Sequence, residues 1–310
     1  MKQVSIGPLT VRPIALESDD REQLTAFLAR LGATSGVVPG MNIGEINWMG
    51  YRVIEPSFAD SAALITDDAG MVRGMVWLEP DDEFAVEVDP NLANDADLLE
   101  GLARYALAEL IALSPDVTTP RGSTLLLSDR ALCEALARIG MTTDGTVRHH
   151  TFLRDLTREI EAPVLPTGYR FNDVHSDDQI AERAAADVAV WPTSSIDAGN
   201  YRDVQTAALY RSDLDLIVES NEGVLAAFCL GWFEPHQRVA QFEPIGVLEA
   251  FRGLRIGKAI VLEGLRRARE LGATVVYINC SATNEAGNAL YRSVGCDLVG
   301  EWIWWEQNAP

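Results

Sequence analysis

Two groups of residues in this sequence have types and spacing that could do chemistry together. The first is the turn Phe251-Arg252-Gly253-Leu254-Arg255-Ile256-Gly257-Lys258-Ala259, which follows an apolar stretch ending at Val247. A helix opening near Ile256 would present unpaired backbone N–H groups and the positive end of its dipole, an arrangement that attracts phosphate. Gly253 and Gly257 would let a ligand approach the backbone closely. Arg252, Arg255 and Lys258 add positive charge in a chain with few lysines, Lys2 and Lys258 alone. The alternative is an ordinary helix start whose basic residues are simply solvated. The second group is Asn284-Glu-Ala-Gly-Asn288-Ala-Leu-Tyr291-Arg-Ser-Val-Gly295, with a phenol seven residues after an asparagine.

For the turn to hold a phosphate, a strand must end before it and a helix must begin after it. Apolar alternation and β-branched content predict strands over 239–247 and 274–279, with a helix over 256–270 between them. Around these lie a strand over 169–173, a helix over 178–190, strands over 214–219 and 224–232, a helix over 285–294 and a closing strand over 297–306. The first half has the same order. Strands are predicted over 9–12, 62–66, 72–78, 84–88, 124–127 and 148–153, and helices over 20–31, 97–111 and 130–139. The tetrapeptide Leu-Glu-Gly-Leu recurs at 99–102 and 262–265, in corresponding helices, which points to duplication. The polar segment 157–168 carries Pro163 and Pro166 and ends on Gly168, a linker composition that predicts domains 1–158 and 159–310.

With the elements in that order, residues 242–259, Asn284 and Tyr291 resemble the GNAT acetyltransferase family. The family's loop of form R/Q-x-x-G-x-G/A after its fourth strand is matched at its ends by Arg252 and Gly257. Arg255 replaces the middle glycine, where its N–H can donate unless the position is left-handed. Cys296 stands where an aromatic residue is usual. The two signatures and the order of elements cover about half the chain.

The resemblance implies a mixed α/β (α+β) fold of two tandem GNAT-like domains. Each would be a mixed, mostly antiparallel sheet flanked by helices, with splayed parallel strands forming the CoA cleft of the C-terminal domain. It implies acetyl-CoA as co-substrate, bound by Ile245, Gly246, Val247, Arg252, Gly253, Leu254, Arg255, Ile256, Gly257, Lys258, Asn284 and Asn288. An acceptor amine would attack the thioester directly. Tyr291 takes the family's tyrosine position, where a phenol can protonate the departing thiolate. Glu243 is the candidate base, because it lies just before the carbonyl-binding segment and Pro244 beside it suggests a bent or bulged strand. Trp191, Asp215, Trp232 and Glu234 are candidates for acceptor contact, with His236 and Tyr201 as lesser ones. Core packing is the alternative for the aromatics.

Bulk properties restrict the partners. The net charge is −21 over 310 residues, which argues against nucleic acid and fits a small cationic acceptor such as an amine. No apolar stretch reaches membrane-spanning length, and the N-terminus lacks the apolar core of a signal peptide, so a cytoplasmic protein without a membrane partner is expected. Cys133, Cys229, Cys280 and Cys296 match no metal or redox spacing and read as buried free thiols. His149 and His150 read as strand residues, so no metal is expected. Oligomeric state and acceptor identity stay open.

The first half reads as a silent copy. Val86 and Val88 align with Ile245 and Val247, but the loop 91–97 has no glycine and no basic residue, and Asp95 and Asp97 would repel a diphosphate. Counting back from Gly140, Leu136 replaces the tyrosine and Asp129 the asparagine. No CoA binding is expected there; completing the acceptor pocket or supporting its partner is. Two further readings stay open: a non-catalytic acetyl-CoA-binding regulator or scaffold, and transfer of a longer acyl group.

Overall fold

A computed structural model of the chain describes residues 1–15, 19–34, 36–51, 58–79, 82–116 and 118–307. The first half opens with β1 (Val4–Ile6), β2 (Leu9–Pro13), α1 (Asp20–Ala33), α2 (Ile43–Tyr51) and the single turn α3 (Phe58–Ser61). It continues through β3 (Ala62–Thr66), β4 (Val72–Glu79), β5 (Glu83–Val88), α4 (Ala96–Leu113), β6 (Gly122–Leu126), α5 (Arg130–Arg138), β7 (Met141–Thr142) and β8 (Val147–Asp155). The second half holds β9 (Tyr169–Asp173), α6 (Asp177–Val190), α7 (Ala198–Val204), β10 (Asp215–Ser220), β11 (Leu225–Glu234) and β12 (Val239–Val247). It closes with α8 (Ile256–Glu270), β13 (Val275–Ser281), α9 (Glu285–Ser293) and β14 (Asp297–Gln307). The periodic segments fold as their patterns predict, within a few residues at the ends. Helices α2 and α7 had no counterpart in the sequence reading.

The strands form one continuous mixed sheet in the order β1-β2-β3-β4-β5-β6-β14-β8-β13-β12-β11-β10-β9. Among the described residues two neighbouring pairs run parallel, β5 with β6 and β12 with β13. Both pairs part early. β12 and β13 are paired from Val239–Gln241 against Val275–Tyr277 and no further, and β5 meets β6 only at Glu83 and Gly122. Each half therefore contains a V-shaped cleft whose backbone edges are free beyond the point of contact.

The last strands of the halves are exchanged. β8, from the first half, lies against β13, while β14 lies between β6 and β8 and so closes the first half's sheet. Residues 1–158 and 159–310 thus share one sheet, and neither range completes its own.

Three apolar cores hold the layers. One lies under α4 and α5, with Leu102, Leu110 and Leu136 fully covered, and another under α8 and α9, with Ile260, Val261 and Leu265. The third joins the halves, packing α1 and α2 against α6, α7 and the sheet through Phe27, Ile46, Tyr201 and Trp232. The Tyr277 hydroxyl donates to the Gly32 carbonyl at 2.9 Å. The Gly44 N–H donates to Gln241 Oε1 at 2.6 Å, and a Cβ at residue 44 would lie 2.6 Å from the Trp232 ring. Only glycine lets α2 come so near β12. The four cysteines are free, and Cys229, Cys280 and Cys296 are buried, as expected. Among the described residues no helix is long and apolar enough to cross a membrane.

Candidate active site

The turn after β12 has the form its residues predict. Gly253 has φ +79° and Arg255 has φ +62°, ψ 9°, so Arg255 takes the left-handed conformation that the glycine it replaces would adopt. That position costs about 1 kcal/mol for a residue with a Cβ. The condition left open at Arg255 is thereby answered: the position is left-handed, and the turn follows the path of the glycine form. No side chain caps α8, and among the described residues no protein acceptor meets the first-turn N–H groups of Ile256, Gly257 and Lys258. An uncapped N-terminus of a 15-residue helix is an anion site in waiting. At Gly257 an added Cβ would lie 3.2 Å from Val247 Cγ2, so the turn and the strand end are closely packed.

The basic side chains around the turn are partly occupied. Lys258 Nζ lies 2.7 Å from Glu161 of the linker, and Arg252 Nε donates to the Val247 carbonyl at 3.2 Å. Both pairs are exposed, so they hold little energy and a phosphate could replace them.

β12 bends where its proline predicts. Cys229 opposes Ile245 and Gly231 opposes Phe242, so Glu243 and Pro244 together face Leu230 in a β-bulge. Trp232 Nε1 holds the bulge by donating to the Glu243 carbonyl at 2.8 Å. The bulge sets the Glu243 carboxyl into a cavity of about 510 Å³. The Leu248 N–H donates to the facing Ala226 carbonyl of β11 at 3.0 Å, so by alternation Gly246 also bonds toward β11 while Ile245 and Val247 turn their backbone groups to the free edge within the cleft. Gly246 serves packing: a Cβ there would lie 2.2 Å from the Phe228 ring.

Glu243, Ile245, Asn284, Tyr291 and Trp191 come together at this cavity. Burial, then the nearby carboxylates of Glu45 and Asp187, push the Glu243 carboxyl up to about 8. A base that exchanges its proton near neutral pH suits an ammonium donor. Burial holds the Tyr291 phenol well above its ordinary range, so it carries its proton. Neither Glu243 nor the Tyr291 hydroxyl has a side-chain hydrogen-bond partner among the described residues. Asn284 Oδ1 caps α9, accepting from the Gly287 N–H at 2.9 Å.

Five residues picked from sequence lie elsewhere. Asp215 is fully buried and accepts from the Tyr201 and Tyr210 hydroxyls at 2.8 Å, inside the shared core. Trp232 is fully buried, and Tyr201 with it. Glu234 accepts from the His236 and Gln237 N–H groups at a turn, at 3.0 and 2.6 Å. Asn288 is buried, with its amide donating to the Ser281 and Asn284 carbonyls and its Oδ1 2.5 Å from His150 Nδ1, so it braces α9.

The first half contributes what sequence reasoning missed. Helix α2 brings Glu45 and Trp48 to the cavity, and β4 and β5 bring Trp77, Glu79, Glu83 and Glu87. Glu45 Oε2 accepts from the Asn42 N–H and Oε1 from Asn279 Nδ2, each at 2.7 Å, which ties α2 to β13. Burial, followed by Glu79, raises its carboxyl. The signal was present: Asn42-Ile-Gly-Glu45 is half of a capping box at a helix start. Likewise Glu83 and Glu87 alternate with Phe84 and Val86, so the carboxylates share one face of β5.

Splayed parallel strands, an uncapped helix after the first of them, and a carboxyl and a phenol on one cavity at their mouth are the features against which likeness to known proteins is weighed. Residues 178–296, less than half of the chain, match the model of the acetyltransferase (GNAT) family. Over 61 residues it is 33% identical to mycothiol acetyltransferase of Paenarthrobacter aurescens (strain TC1). That stretch covers 20% of this chain and 19% of the relative. In fold the likeness spans both halves. A GCN5-related N-acetyltransferase from Sphaerobacter thermophilus has a TM-score of 0.65 at 15% identity, covering 97% of this chain and 96% of that one. A tandem GNAT protein from the clavulanic acid biosynthesis pathway has a TM-score of 0.65 at 16% identity, covering 97% and 99%.

Proposed function

We propose that the protein is an N-acetyltransferase that moves the acetyl group of acetyl-CoA to a primary amine of a small molecule, at the cleft between β12 and β13. The observation carrying this reading is the placement of Glu243 and Tyr291 on one cavity, at the end of the free β12 edge that leads from the uncapped α8. Bound acetyl-CoA supplies an activated acyl group, so a C–N bond replaces the C–S bond and the products are an amide, the free thiol and a proton. The residues fit that ligand. The first-turn N–H groups of α8 receive the diphosphate, with Arg252, Arg255 and Lys258 around it. The free edge of Ile245–Val247 receives the pantetheine arm and orients the acyl carbonyl. Glu243, when ionised, takes the ammonium proton. Tyr291 delivers its proton to the sulfur and recovers one from water.

The first half, 1–158, does not bind CoA in this reading. Asp95 Oδ1 already accepts from the Leu98 N–H at 3.0 Å and places a negative charge at the N-terminus of α4. Its part is to wall the acceptor cavity.

The test is calorimetry with acetyl-CoA followed by thiol release over an amine panel. One mole bound per mole of chain and turnover on at least one amine are expected. No binding of any acyl-CoA overturns the assignment, and binding without turnover on any amine makes the protein a sensor instead of an enzyme.

A further inference from the structure

The cavity does not stop at the candidate active site. It runs on into the V-shaped cleft between β5 and β6 of the first half, so both halves line one space. Six carboxyl groups line it, from Glu45, Glu79, Glu83, Glu87, Asp129 and Glu243, and among the described residues no lysine or arginine does. The acids are divided between the two clefts. Glu243 lies at the β12/β13 mouth, whereas Glu83, Glu87 and Asp129 belong to the other cleft.

We propose that the β5/β6 cleft is a subsite for a second cation, so that the acceptor is a diamine or polyamine with its reacting nitrogen at Glu243 and another ammonium group at Glu83 and Glu87. This rests on the acetyltransferase reading above and adds the substrate class.

Several observations converge on an organic polycation. Tyr291 is 7% exposed, lines the same cavity, and its hydroxyl has no hydrogen-bond partner among the described residues, which leaves it to a ligand in that space. A metal ion fits poorly: among the described residues no three His, Cys, Asp or Glu side chains are grouped to hold one. Charges spread along a cavity match separated ammonium groups, and Trp77 and Trp302 add aromatic walls that suit cations.

The carboxylates at this end are also costly without a partner. Glu87 Oε2 accepts from the Gly40 N–H at 2.7 Å and from the Met41 N–H at 3.3 Å, yet burial, with Asp129 and Glu45 nearby, pushes it up to about 7. Glu83 Oε1 accepts from the Thr124 N–H at 3.2 Å, and burial raises it too. Buried like charges of this kind collect at functional sites, where a bound cation offsets them. The N-terminus of α4 beside this cleft is capped by the chain's own Asp95.

The experiment compares linear α,ω-diamines with monoamines of equal chain length in acetyl-CoA-dependent thiol release, for the full chain and for the Glu83→Gln/Glu87→Gln double variant. The best diamine should exceed its monoamine by about tenfold or more in kcat/KM, the scale of one charge-assisted contact. That ratio should fall toward one in the double variant. Equal kcat/KM for diamines and monoamines overturns the proposal, and so does a preference that survives both substitutions. A second measurement needs neither variant nor turnover. A bis-quaternary diammonium ion, which cannot be acetylated, should raise Tm in the unmodified chain while its mono-quaternary analogue does not; equal shifts, or none, overturn the subsite. Loss of acetyl-CoA binding would instead sink the acetyltransferase reading, so the two failures are separable.

Discussion

The two clefts of this molecule share a frame and differ at its ends. In each, parallel strands part, a helix follows the first strand, and a second helix opens beside the mouth. At the start of α8 the N–H groups are uncapped and three basic residues surround them; at the start of α4 Asp95 fills the same position with its own carboxylate. Asn284 caps α9 and Asp129 caps α5 in the same way, with 2.9 and 3.1 Å contacts. Seven residues on stand Tyr291 and Leu136, both buried. A duplicated frame can therefore keep its architecture and exchange its chemistry through a few side chains, because a helix terminus accepts either an external anion or a side-chain cap.

The largest effect that would test this contrast lies at Glu243 and Tyr291. Glu243→Gln should lower kcat about 100-fold, with acetyl-CoA affinity retained. In the unmodified protein the rate should climb with pH through about 8 as Glu243 loses its proton, and that limb should vanish in the variant. Tyr291→Phe should cost about tenfold in kcat when chemistry limits turnover; full activity there would remove Tyr291 from its role.

Next comes the helix terminus. Gly257→Val crowds Val247 and should weaken acetyl-CoA binding about tenfold by calorimetry. Its counterpart in the first half, Asp95→Ala, should leave that affinity unchanged and lower unfolding stability by about 1 kcal/mol through loss of the cap.

The pH dependence of stability has an unusual sign. Glu87 and Glu243 have folded values of about 7 and about 8 against an ordinary 4.5, so the folded chain holds more protons than the unfolded one between these limits. Their contribution to stability is therefore present below about 4.5 and lost as pH rises toward 8. Urea midpoints should fall from pH 5.5 to 8.5, and Glu87→Gln with Glu243→Gln should flatten the trend. The smallest effect is at Arg255: Arg255→Gly should raise stability by less than about 1 kcal/mol, since relief at φ +62° is partly offset by glycine's entropy.

Much of the frame was legible because periodicity reports burial within a single element. The bounds predicted for β3, β9, β12 and α8 are those observed, and the bulge at Glu243–Pro244 followed from a proline inside a strand. Long-range placement was not legible. Asp215, Trp232 and Glu234 have suitable chemistry, but strand direction and packing send them to a core and a turn. Helix α2 escaped because Gly44 and Gly50 weaken its helical pattern, although Gly44 is what allows its approach to β12.

The glycine- and arginine-bearing turn after β12 is a local object. Its glycines and its position before an amphipathic run depend on neighbours along the chain, so the sequence alone determined them, whereas the left-handed Arg255 came from the structure. The acceptor cavity is not local: it depends on α2 crossing to β12 and on β8 and β14 exchanging places in the sheet. Only the tertiary structure decided that the acids of the first half share a cavity with Glu243 of the second, because hydrophobic burial and sheet pairing between distant segments leave no periodic trace in either one.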